Sequence, residues 1–161
     1  MTKPLKRHPS LIPLSQDHHF GLLLCWKIRI GLKKEIKTGR IRDYLNYFFL
    51  GHLENHFRME EEYLFGFLAK NDLFRKDAES QHQLLRQHYK EISGALEVSH
   101  VDLNQFADEL EKHIRFEERI LFPYIQTELL EKELVEFKER LDQVHQKVEE
   151  DWADEFWVKK S

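Results

Sequence analysis

The chain has 161 residues, 25 of them basic and 29 acidic, for a net charge of −4. That length supports one core without staples, and the lack of a basic surplus excludes nucleic acid or an anionic membrane as the main partner. Six glycines, four prolines and 34% charged residues read as long amphipathic helices with few tight turns.

Residues 1–13 carry three of the four prolines and read as an extended N-terminal arm. Ser15 can cap a helix over 16–37, which Thr38-Gly39 ends. A second helix spans 41–70 and breaks at Asn71-Asp72; a third spans 76–98. Ser99 and Asp102 offer caps for a fourth over 103–127, in which Pro123 should kink or end the helix. A charged fifth stretch, 129–149, trails into DWADEFWVKKS. No segment alternates with period two, so no strand is expected. The predicted fold is all-α: an up-down-up-down four-helix bundle over 14–127, with the arm 1–13 before it and a charged C-terminal helix and tail over 128–161.

The single cysteine, Cys25, permits no internal disulfide, and no apolar run nears the ~20 residues of a membrane span. The basic start lacks a signal-type apolar stretch. The expected setting is soluble and reducing, the cytoplasm, with no membrane as partner.

The ten histidines carry the functional pattern. HFRMEEEYLFGFL, from His56, and HIRFEERILFPYI, from His113, agree at six of thirteen positions. Each contains His-x-x-x-Glu, pairing His56 with Glu60 and His113 with Glu117 on one helix face. The third helix places His82 on an apolar face with Ala78, Leu85, Tyr89, Ile92 and Leu96. In the first helix, a face centred on His18 carries Leu14, Gly21, Cys25, Ile28 and Leu32, whereas one centred on His19 would bury Arg29 and Lys33. His18 therefore faces the core and His19 its edge. Two matched halves result, which suit a pair of metals bridged by two carboxylates. Mixed imidazole and carboxylate donors suit iron, manganese or zinc.

A lone His-x-x-x-Glu is weak, because such pairs are common on helix surfaces. Six inward donors differ: buried without a metal, each unpaired group costs ~1–3 kcal/mol. His52 lies one turn before His56 and is weighed as an unlikely ligand. His88, His100 and His145 read as solvent-facing, His8 as structural at most, and Glu61, Glu62 and Glu118 as a solvated face. Trp152, Phe156 and Trp157 are expected to fold back on the bundle or meet a partner.

The segments QDHHFGLLL, NHFRMEEE, SQHQLL and EKHIRFEERILFP, in that order, make residues 10–127 resemble the hemerythrin-like, or HHE cation-binding, family. The resemblance implies a four-helix bundle around a non-haem di-iron centre, its ligand roles falling on His18, His56, Glu60, His82, His113 and Glu117. The oxygen-carrying members place a further histidine where Arg86 stands and an aspartate later than Glu117. The set of four histidines and two glutamates is more similar to the repair-of-iron-centres proteins and the iron-sensing domains. The expected function is sensing or handling of iron, oxygen or nitric oxide, with a small diatomic ligand or iron itself as partner. The alternative is a di-iron oxidase, peroxidase or iron-donating repair protein, for which no substrate or electron-donor motif is legible. An apo bundle serving a partner is the third reading. On the sequence alone, His18→Ala should cost bound metal and His19→Ala should spare it, as read by metal analysis; the reverse would mean a first helix rotated by about 100°.

Overall fold

In the computed structural model, which describes residues 6–159, every regular element among the described residues is helical. The first helix, α1 (Ile12–Lys33), starts earlier than its expected cap at Ser15. Pro13 sits in its first turn, where the missing N–H has no intrahelical partner to lose. The Ser15 hydroxyl is used elsewhere, donating to Glu118 Oε2 at 2.8 Å. Of the arm expected over 1–13, residues 1–5 lie outside the described residues, while Ser10 and Leu11 are fully buried.

The second helical run combines α2 (Thr38–Phe48), a π turn (Phe49–Leu53), α3 (Glu54–Met59), a second π turn (Glu60–Leu64) and a 3₁₀ turn (Phe65–Phe67). Asp72 then caps α4 (Leu73–Gly94) by accepting from the Arg75 N–H, and Ser99 caps α5 (His100–Phe116) by accepting from the Asp102 N–H. Because α4 stops at Gly94, Leu96, expected on its inner face, is fully exposed. A third π turn (Glu117–Leu121) leads into α6 (Phe122–Glu128), where Pro123 occupies the first turn. Pro123 was expected to kink or end this helix. The helix does not end there: the chain stays helical to Glu128, because the wider turn opens the ladder where the prolyl ring would meet the preceding carbonyls. The last helix is α7 (Glu131–Val144), with the Glu133 carboxylate accepting from the Leu130 N–H.

α1 packs along α5 and α2, and α4 packs on α5. Buried apolar side chains form two clusters. One gathers Leu24, Ile28, Tyr44, Phe57, Leu85, Phe106 and Leu110; the other gathers Leu14, Met59, Leu64, Ala78, Leu121 and Phe122. Each core helical run changes cluster near one of the histidines or glutamates singled out above. His18 falls between Leu14 and Leu24, His82 between Ala78 and Leu85, and Glu117 between Ile114 and Leu121. Gly21 leaves space for Ile114, whose Cδ1 would lie 2.8 Å from an added Cβ.

The C-terminal segment joins both clusters. Leu134, Phe137 and Leu141 of α7 are buried in one, and Phe156 is buried in the other. No helix among the described residues is long and apolar enough to cross a membrane. Phe137 is fully buried, so Phe137→Ala should lower unfolding stability by about 3–5 kcal/mol. Urea unfolding checks this; a loss below about 1 kcal/mol would mean that α7 is only loosely attached.

Candidate metal centre

Both His-x-x-x-Glu repeats fold alike. His56 closes on Glu60 across the end of α3, and His113 on Glu117 across the end of α5; each glutamate opens a π turn. The carbonyls of Glu60 and Glu117 accept from the N–H five residues on, of Phe65 and Phe122. Single π turns of this kind recur at functional sites. The repeat seen in the sequence is therefore also a repeat of backbone geometry.

His18, His56, Glu60, His82, His113 and Glu117 are all buried. They form two overlapping groups, His18–His56–Glu60–Glu117 and Glu60–His82–His113–Glu117. Within each group one donor atom per residue lies within 4.8 Å of all the others. Both glutamates belong to both groups, and each group has its own pair of histidines. Glu60 Oε1 lies 3.2 Å from both His56 Nε2 and His82 Nε2. Glu117 Oε1 lies 2.9 Å from His18 Nε2 and 3.4 Å from His113 Nε2. The Nε2 atoms of His18 and His56 face each other at 3.2 Å.

The opposite edge of each ring is tied down. His18 Nδ1 bonds Glu118 Oε2 at 2.9 Å, His56 Nδ1 bonds Asp17 Oδ2 at 2.9 Å, His82 Nδ1 bonds Glu61 Oε2 at 2.7 Å, and His113 Nδ1 bonds Gln81 Oε1 at 2.6 Å. An acceptor at Nδ1 holds the proton there and turns the Nε2 lone pair inward, the tautomer a metal requires. The sequence reading missed these four partners, and placed Glu61 and Glu118 on a solvated face. The legible signal is adjacency: Asp17, Glu61, Gln81 and Glu118 each neighbour an inner residue (His18, Glu60, His82, Glu117) yet serve a histidine of another helix. Arg86 meets carboxylates behind the centre. Its guanidinium grips Glu61 through two nitrogens, at 2.8 and 2.9 Å, and its Nε donates to Glu54 at 2.9 Å.

Burial and charge oppose each other within the cluster. Burial pushes the imidazoles toward the neutral form, but Glu117, Glu60 and Glu61 override it at His82 and lift it to about 10. His56 and His18 are raised against burial by their carboxylates as well. At His113 burial wins over Glu117 and the value falls. Glu117 is held well below the carboxylate range, its burial outweighed by His113, His18 and His56. Glu60 Oε1 and Oε2, Glu117 Oε2, His82 Nε2 and His113 Nε2 are buried with no hydrogen-bond partner. Five stranded donor atoms around one centre fit a metal, because a cation would satisfy all of them at once.

The other histidines stand outside the two donor groups. His19 is exposed, and His52 is half-buried against the rings of Tyr47 and Phe48. His88 pairs with Glu109, and His8 with Ser10 and Glu131. His145 is not solvent-facing as expected: its Nε2 lies 3.0 Å from both oxygens of Asp17.

Among the described residues the regular elements are all helical, and the core holds paired imidazole and carboxylate donors that could hold a metal ion. The hemerythrin HHE cation binding domain matches residues 27–125, and the chain belongs to that family. The match covers five of the six inner residues and begins after His18. No match was found among the curated proteins or the solved structures.

Burial alone would raise Glu61, but His82 and Arg86 lower it to about 2. A depressed carboxylate contributes stability above its unfolded value near 4.5 and loses it as pH falls through the folded value. The metal-free protein should therefore exceed Glu61→Gln in stability at pH 6, with the margin closing between about pH 4.5 and 2. Parallel denaturant titrations across that range check it; a pH-independent margin would contradict the ionic role of Glu61.

Proposed function

We propose that the chain is a non-haem di-iron protein of the hemerythrin-like type that senses or handles iron, oxygen or nitric oxide. The single observation that carries this reading is the sharing of Glu60 and Glu117 between the two donor groups, with stranded oxygens on both. His18 and His56 would hold one ion, His82 and His113 the other, and Glu60 and Glu117 would bridge them. Iron suits mixed nitrogen and oxygen donors, with manganese and zinc as the competing occupants. An iron pair supplies redox chemistry and affinity for diatomic molecules.

The chain's own residues do the rest. Asp17, Glu61, Gln81 and Glu118 fix ring orientation, so that little reorganisation accompanies metal uptake. The two apolar clusters exclude bulk water from either side of the centre. Beside His18 and His56 lies a cavity of about 30 Å³, bounded by Gly21, Phe48, His52 and Met59. Its volume is that of one or two small molecules. A diatomic ligand fits there, in keeping with sensing or handling. We further take the chain from the start of α1 at Ile12 to about residue 127 as an up-down-up-down four-helix bundle in a cytoplasmic protein, with the charged C-terminal region 128–161 as its flank.

Metal analysis after expression in iron-supplemented medium should give near two ions per chain, since six donors are too many for one tetrahedral ion. A full-occupancy value of one would overturn the dinuclear reading. Optical spectra before and after oxygen, nitric oxide or peroxide separate reversible binding from turnover.

Glu60→Ala and Glu117→Ala should damage the site comparably, because each removes a charge shared by both ions. Either variant keeping both ions at wild-type affinity would show that its glutamate is not a bridge.

A further inference from the structure

We propose that the segment following α7 completes the metal centre: His145, acting through Asp17, positions His56, while Gln146 and Val148 wall the cavity beside His18 and His56. The inference rests on the metal reading above.

The carboxylates behind the inner histidines are not equivalent. Glu61 is held by Arg86, and Glu118 by the Ser15 hydroxyl and by Arg7 at 3.7 Å. Among the described residues, no arginine or lysine pairs with Asp17. Its partners are two imidazoles, His56 at 2.9 Å and His145 at 3.0 Å. Asp17 and the His145 ring are each only 10% exposed. A carboxylate that far from water needs a second donor to hold its orientation. His145 supplies it, from a position 128 residues away in the chain. It does for Asp17 and His56 what Arg86 does for Glu61 and His82.

His145 also sits at a strategic point of the backbone. It ends α7, its N–H bonding the Leu141 carbonyl, and the chain then runs without regular structure to residue 158. Gln146 and Val148 border the cavity directly. Beyond them the segment is pinned to α1 and α2. Glu150 accepts from Lys27 Nζ at 2.9 Å and from the Tyr44 hydroxyl. The Trp152 ring stacks on Tyr47 at 4.9 Å, and Arg40 pairs with Asp154. Phe156 is buried over Gly31, where an added Cβ would lie 2.8 Å from its ring. An irregular segment with anchors of this kind on both sides of a cavity wall has a defined seat. Docking of the segment and retention of the ion at His56 are then one linked equilibrium, and each must strengthen the other.

The test uses the full chain. Iron affinity is measured by chelator competition for wild type, His145→Ala and His145→Gln, alongside limited proteolysis of residues 145–158 with and without iron. Loss of the partner directly behind a metal-binding histidine costs 10–100-fold in affinity; His145 stands one residue further out, behind Asp17, so His145→Ala should weaken one of the two ions by several-fold, up to about tenfold. His145→Gln keeps an N–H donor and should recover most of that loss, which a merely structural change would not. Iron should slow cleavage of the segment in wild type, and much less in His145→Ala. Wild type holding two ions while His145→Ala holds them equally well, with cleavage indifferent to iron, would overturn the inference and leave the metal reading standing. A wild-type chain that retains no metal would remove the metal reading and the inference together. Should His145→Ala fail to fold, His145→Gln and the iron dependence of wild-type cleavage decide the matter.

Discussion

Four imidazoles and two carboxylates buried at the middle of a helical core dictate much of the surrounding structure. Each imidazole has two nitrogens, and only one can face the centre, so the other must find a partner on the far side. Four neighbouring residues meet that demand: Asp17, Glu61, Gln81 and Glu118. Each stands next to an inner residue of its own helical run and reaches a histidine of another. The helical runs are thereby cross-tied at the level of the site. A shift of one run along its axis would break an inner donor and an outer bond together.

The backbone yields to the same constraint. Two of the three π turns begin at Glu60 and Glu117, in the part of each repeat that places a carboxylate between two pairs of histidines. The wider turn also accommodates Pro123 without ending the helix. The apolar clusters lie to either side of the polar centre, so ring stacking reinforces hydrogen bonding. His82 lies against Phe57 at 4.1 Å, and His18 against Phe122 at 5.4 Å. Arg86, which a residue-by-residue comparison places near the centre, instead completes the outer layer by neutralising Glu61.

The inner face of each helix was legible because burial repeats with the helical period. The offsets around His18 name Leu14, Gly21, Cys25, Ile28 and Leu32; the first four are buried with it and Leu32 partly so, while His19 is exposed. The same logic found Ala78, Leu85, Tyr89 and Ile92 around His82 but overran at Leu96, because periodicity does not mark where α4 ends. Ser15 looked like a cap, and its hydroxyl was taken by a carboxylate 103 residues away. Capping propensity is local, and a tertiary partner overrode it.

By itself the sequence determined the helical class, the inward face of each helix and the identity of six inner polar residues. All of these follow from spacing along one chain, where i and i+4 share a face whatever the helix packs against. Only the tertiary structure decided what stands behind those residues. Glu61 and Glu118 are acidic residues that pattern alone assigns to water, and His145 is separated from Asp17 by nearly the whole chain. Their roles depend on which helices become neighbours and on where an irregular C-terminal segment comes to rest. No local period encodes either, because both are settled by long-range burial of polar groups that must find partners.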